Sequence, residues 1–223
     1  MSLAGAAVVA IWNDITDEGR ANFYEWHNRE HMPERLGIPG FLRGRRYVSS
    51  DARPAYFTLY EVRDAAVLAS PGYLARLNSP TPWTTDSVGH FRNVARSLCQ
   101  VETSQGHGSG GWLGTLRFDC DPARDANLEA ELARILAGLA GRPGIVAAHT
   151  GRADLAASTA QTAEQTGRPA NAVPRWVVMV EASTEAAVRG ALADPLSAAA
   201  LARFGLLGLE AGSYGLQFDL LAI

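Results

Sequence analysis

The sequence contains no lysine: all 20 of its basic residues are arginine. That absence excludes Schiff-base chemistry, attachment of pyridoxal phosphate and the lysine of a phosphate-binding P-loop. Cysteine is scarce too. Cys99 and Cys120 are the only two, and their spacing makes no metal or redox motif, so a reduced, cytoplasmic setting is expected. No apolar stretch approaches the roughly 20 residues of a membrane span, and no membrane association is expected. The apolar segment 3–12 lacks a basic leader and reads as a first strand. Runs of one charge are missing as well. The arginines interleave with 23 acidic residues to a net charge of -3, which argues against nucleic acid or an anionic membrane surface as a partner.

What is present is ordinary globular material: 47% hydrophobic and 19% charged residues in a chain of 223. That length suits two small units of about 100 residues each. Residues 6–13 form a short apolar run with β-branched residues and read as a strand. Asn13, Asp14 and Thr16 offer capping side chains, after which Phe23, Trp26 and His27 recur at helical spacing. The helix should falter near Pro33, which cannot donate a backbone hydrogen bond. Strands are expected over 41–49 and 55–62, a helix interrupted by Pro71 over 65–77, and a fourth strand over 93–101. The order is β-α-β-β-α-β.

The segment GHGSGG (106–111) follows. It precedes a strand rather than a helix, so it reads as a linker and not as a nucleotide loop. The order then repeats. Strands are expected over 112–119, 144–150, 175–181 and 213–222, with helices over 128–139 and 184–204. Thr184 would start the last helix and Gly205 stop it. Pro39-Gly40 recurs 104 residues later as Pro143-Gly144, each ahead of the second strand of its half. Residues 154–172 have no counterpart in the first half and read as a surface excursion.

The fold class expected is therefore α+β: tandem duplicated ferredoxin-like βαββαβ units, residues 1–104 and 112–223 joined by a Gly-rich linker at 105–111. One such unit has helices on a single sheet face, and a second copy would cover the other. The two would close an intramolecular pseudo-dimeric α+β barrel. The first unit carries the candidate site and the second reads as structural.

Chemistry-bearing residues concentrate in one segment of the first half. His27 and His31 are four apart and so share a helix face. His27-x-x-Glu30-His31 matches the inverted zinc-protease signature, but Pro33 crowds the helix and no third acidic ligand is evident, so no metal is assigned. The two rings are open to three readings: caps of a helix end, ligands of a metal or haem, or an acid-base pair near neutrality. Arg43 and Arg45 alternate onto one strand face and could hold a carboxylate or enolate, with Arg46 on the other. Trp12 and Tyr60 fall at strand spacing and could line the same cavity. Trp83 sits in the loop 78–83, suited to closing a barrel mouth.

The runs FYEWHNREHMPERLGIPGFLRGRRY, YFTLYEV and SPGYLARLNSPTPW resemble the EthD-like branch of the dimeric α+β barrel superfamily, over roughly residues 6–101. The resemblance implies a cavity between sheet and helices for a small, aromatic or lactone-like molecule. It does not fix a reaction; the leading expectation is cofactor-independent proton transfer of isomerase, cyclase or monooxygenase type. His31, in the EHMPERL segment, is the position onto which the proton-transferring histidine of related isomerases carries over, with His27 orienting it. Arg43 or Arg45 would hold the anionic group, and Trp12, Tyr60 and Trp83 would enclose the ring. No cofactor is expected, and the alternatives are a non-catalytic protein with a structural His/Arg motif or a haem or metal protein. A small-molecule ligand is the expected partner, with a homodimer left open.

Overall fold

Residues 7–12 form an unbroken apolar run buried on both faces, which is what a strand covered on two sides requires. This is β1 (Ala7–Ile15) in a computed structural model that describes residues 2–166 and 169–222. The helical layer of the first half comprises α1 (Arg20–Trp26), a π turn (His27–His31) and α2 (Met32–Leu36). Then follow β2 (Phe41–Val48), β3 (Tyr56–Val62), a 3-10 turn (Ala65–Ala69), α3 (Pro71–Asn78), α4 (Pro82–Gly89) and β4 (Phe91–Gly106). The second half runs β5 (Trp112–Asp119), α5 (Asp125–Leu139), β6 (Ile145–Ala153), α6 (Leu155–Thr159), β7 (Trp176–Ala182), α7 (Glu185–Ala193), α8 (Ala198–Leu201) and β8 (Leu207–Leu221).

All eight strands close one antiparallel barrel in the order β1-β3-β2-β8-β5-β7-β6-β4. Each half contributes the same internal order, its fourth strand beside its first, its first beside its third, its third beside its second. The duplicated ferredoxin-like architecture is thus the one expected. Gly40 (φ 101°) and Gly144 (φ 79°) both adopt the left-handed conformation ahead of β2 and β6, which explains why the Pro-Gly pair recurs. No helix among the described residues is long and apolar enough to cross a membrane.

Several local expectations shift. Asn13 and Asp14 extend β1 instead of capping α1, and Gly19 precedes that helix with no side-chain cap. β4 runs through Gly106, leaving 107–111 irregular. The loop proposed for 78–83 ends in a helix start: the Thr81 hydroxyl accepts from the Thr84 amide, and Pro82 opens α4. Pro195 divides the long last helix into α7 and α8, while Thr184 caps α7 as expected.

Alternate strand residues fill the lumen. Val8, Ala10, Trp12, Phe57, Leu59, Leu113, Val177 and Met179 pack there, and one end holds charge. Arg45, fully buried, contacts Glu61 (2.9 Å) from its own half and Glu181 (2.9 Å) from the other. Burial would raise the Glu181 carboxyl, yet His149 and the Arg45 guanidinium hold it at about 2. The arrangement is pseudo-symmetric: Arg45 faces Leu59 across β2–β3, and His149 faces Met179 across β6–β7, each two residues before its half's glutamate. Arg45 is therefore a strut between halves and not a substrate-binding group. Arg45→Ala would strand two buried carboxylates, and a loss of about 3–5 kcal/mol in urea denaturation is expected.

Candidate functional site

The opposite faces of β1 and β3 look toward the helices, and there the first half keeps polar residues. Pro33 has no N–H to complete an α-helical ladder, and the chain widens into the π turn, closed by the Met32 amide donating to the His27 carbonyl. The loosening expected at Pro33 thus falls on the histidine-bearing turn itself. His27 and His31 remain on one face, their rings 5.7 Å apart and stacked, with Trp26 4.3 Å from His31.

His27 is locked. Arg46 Nη1 donates to its Nδ1 at 3.0 Å, and its Nε2 lies 3.2 Å from Tyr60 Oη. Because a guanidinium only donates, Nδ1 is the bare nitrogen and Nε2 carries the proton toward Tyr60. Arg46 is itself held by Gln217 at 2.7 Å and by the rings of Phe23, Tyr24 and Phe218. His31 is only 6% exposed, and its Nδ1 has no hydrogen-bond partner. Burial, then the positive charge of Arg46 for His27 and of Arg35 for His31, pushes both imidazoles well below their ordinary value. Both rings are neutral at pH 7, and burial keeps the Tyr60 phenol protonated.

Both histidines and Tyr60 line an enclosed cavity of about 60 Å³. Phe23, Trp26, Val88 and Phe91 give it apolar walls, while Asn13, Thr58 and Arg96 supply polar groups. Its roof comes from the other half. Thr162, Glu164, Gln165 and Asn171, from the connection between β6 and β7, close it over. The excursion is anchored there by Ala163 donating to Asn78 (3.1 Å), by Ala172 donating to Val94 (3.0 Å) and by Glu164 paired with Arg35.

The other expected site residues lie elsewhere. Trp12 faces the lumen and donates to Thr115 at 3.1 Å, since it alternates with the cavity-lining Ile11 and Asn13. Arg43 spans the β2–β8 edge, donating to Asp219 (2.9 Å) and Ser109 (2.7 Å). Arg45 is the lumen strut. Trp83 ties α4 to α1 by donating to Asn22 at 2.7 Å. Sequence reasoning took the wrong arginine face: Arg46 reaches the histidines, and its register partner Thr58 lies in the cavity wall. That face was legible from strand alternation. Glu164 was not, because nothing local marks a residue of the second half as the roof of a site in the first. Glu30 turns to Thr81 (2.5 Å) and Thr84 (3.3 Å), away from a zinc-protease role, and no group of three or more His, Cys, Asp or Glu among the described residues could hold a metal ion.

No family model matches the chain, and no curated protein matches it. Solved structures do. An anthrone oxidase-like protein aligns over 100% of this chain and 96% of its own, with a TM-score of 0.65 at 15% identity. A monooxygenase candidate from Lactobacillus acidophilus NCFM aligns over 97% of each chain, with a TM-score of 0.60 at 8% identity. A mutant chlorite dismutase from Candidatus Nitrospira defluvii, in complex with cyanide, aligns over 96% of this chain and 92% of its own, with a TM-score of 0.56 at 7% identity. The chain has their fold, a mixed α+β architecture built on an eight-stranded barrel.

The histidines make stability depend on pH. As pH falls from about 7 to about 5, the unfolded chain takes up protons at histidines near their ordinary value of about 6.5, while the folded rings stay neutral. Stability is therefore expected to fall across that window. In urea melts at several pH values, His31→Asn should flatten the slope by on the order of 1 kcal/mol per pH unit.

Proposed function

We propose that the chain is an EthD-like member of the dimeric α+β barrel superfamily that binds a small planar phenol- or anthrone-like molecule in the His27–His31 cavity. There it catalyses cofactor-independent proton abstraction of the monooxygenase type. The observation that carries this reading is His31: a neutral, buried imidazole with an unpartnered Nδ1, in a cavity walled by aromatic rings. A neutral imidazole excluded from water is a base. His31 takes a proton from a phenol hydroxyl or an activated C–H, and the substrate is left as an electron-rich anion that can react with dioxygen or be reprotonated elsewhere. The protonated Tyr60 hydroxyl and Arg96 lie in the same wall to steady that charge. His27, with both nitrogens engaged, is a positioning residue that fixes Tyr60.

The fold shared with an anthrone oxidase-like protein supports the substrate class. Two free, buried cysteines agree with a reduced, cytoplasmic setting. The barrel closes within one chain, so no second copy is needed to complete the sheet.

The test is oxygen uptake with anthrone as substrate. His31→Ala should lower turnover by about 10²–10⁴-fold and retain the fold by circular dichroism. His27→Ala should act partly through stability, because the Arg46 donor is left unmatched. Unchanged turnover in His31→Ala sinks the proposal.

A further inference from the structure

The cavity is sealed by an ion pair that spans the two halves. Arg35, on α2, is 3% exposed, and its Nη2 binds the Glu164 carboxylate from the roof. Its Nη1 has no hydrogen-bond partner and stands 3.6 Å from Glu34, beyond hydrogen-bonding reach. Glu164 also lines the cavity, where it is the one acidic side chain among the described lining residues, alongside the cation Arg96. The enclosed volume of about 60 Å³ is well short of the roughly 150 Å³ that holds a benzene ring. An aromatic ring needs more room than the lowered roof leaves.

The roof cannot give way freely. Withdrawing Glu164 leaves the buried guanidinium with only the looser Glu34 carboxylate at 3.6 Å, and an under-paired buried charge is disfavoured. A neutral ligand offers no replacement, whereas an anionic one does. We infer that Glu164 occupies an anion subsite on Arg35, and that the preferred ligand is a phenol- or anthrone-like aromatic that also bears a carboxylate or comparable anion, whose charged group exchanges with Glu164 as residues 162–165 lift. A planar carboxylate matches the forked guanidinium and can also engage the free Nη1, so the exchange adds a hydrogen bond that Glu164 does not make. This rests on the cavity being the ligand site. It adds the charge of the ligand and the condition for opening.

The test compares benzoate with benzyl alcohol, a neutral probe of similar shape, by calorimetry and by the Trp26 indole N–H resonance, since Trp26 lines the cavity. In the unaltered protein benzoate should bind at least tenfold more tightly than benzyl alcohol. Glu164→Gln keeps the shape of the plug without its charge, and should tighten both probes tenfold or more, because neither then has to break the Arg35 pair, while the preference for benzoate persists. The pair Arg35→Gln/Glu164→Gln removes both charges together, and should abolish the preference for benzoate. Equal affinity for the two probes in the unaltered protein, or benzoate affinity that Glu164→Gln does not raise, overturns the anion subsite but leaves the cavity as the ligand site. If neither probe moves the Trp26 resonance in any variant, the cavity reading fails with it.

Discussion

The structure depends on the length of two strands. β4 and β8 are each about twice as long as a ferredoxin-like unit requires, and each serves both halves. β4 pairs with β1 from Phe91 to Gln100, then continues from Cys99 to Gly106 against β6. β8 pairs with β5 from Leu207 to Gly215, then continues to Leu221 against β2. These two extensions form the sheet seams between the halves. With them every edge strand finds a partner, and the unpaired N–H and C=O groups that make an open sheet prone to aggregation are satisfied within the chain. They also bring Arg45 and Glu181 together across the lumen.

The halves match inside the barrel and diverge outside it, which is why the histidine cavity has no counterpart beneath α5 among the described residues. In the lumen Glu61 and Glu181 occupy equivalent places, as do Arg45 and His149. On the helix side, Thr58 and Tyr60 of β3 correspond to Val178 and Val180 of β7. The second set packs against Leu128, Leu132, Ile135 and Leu136 of α5 in a continuous apolar cluster. α5 runs 15 residues with no proline, so its apolar stripe seats fully on the sheet. The first half has seven residues of α1, a π turn and five of α2. That broken layer leaves space above a polar floor, and the space is the cavity.

Fold and site were unequally legible for the same reason. The repeated element order and the paired Pro-Gly turns are local signals set by backbone requirements, and they imply a duplicated barrel. His27, His31 and Tyr60 were within reach because helix and strand periodicity are also local. The misplacement of Trp12, Arg43 and Arg45 came from assigning conspicuous residues to one cavity without deciding which strand face borders the helices and which the lumen. A barrel with a filled lumen has two apolar-lined interiors, and a single residue of register moves a side chain from one to the other. Arg46 sits one position beyond Arg45 and belongs to the other interior. Arg35 and Glu164 are 129 residues apart in sequence, and no local pattern joins them.

The roof follows from the seam. Because β6 pairs with β4, the chain leaving β6 at Asp154 emerges beside Leu98, where its amide donates to the Leu98 carbonyl at 2.9 Å. From that point the shortest excursion passes over the helix side of β4 and β1, above the histidines. The equivalent connection in the first half, between β2 and β3, is short and leaves beside β8, where α7 answers it: Arg189 of α7 binds Asp51 at 2.7 Å. Two identical subunits would carry the same connection on both sides and roof both cavities or neither. Fusing the halves into one chain removes that constraint. One connection lengthens into a roof with its own carboxylate while the other stays a turn, so the cover of the first half's cavity comes from the second half.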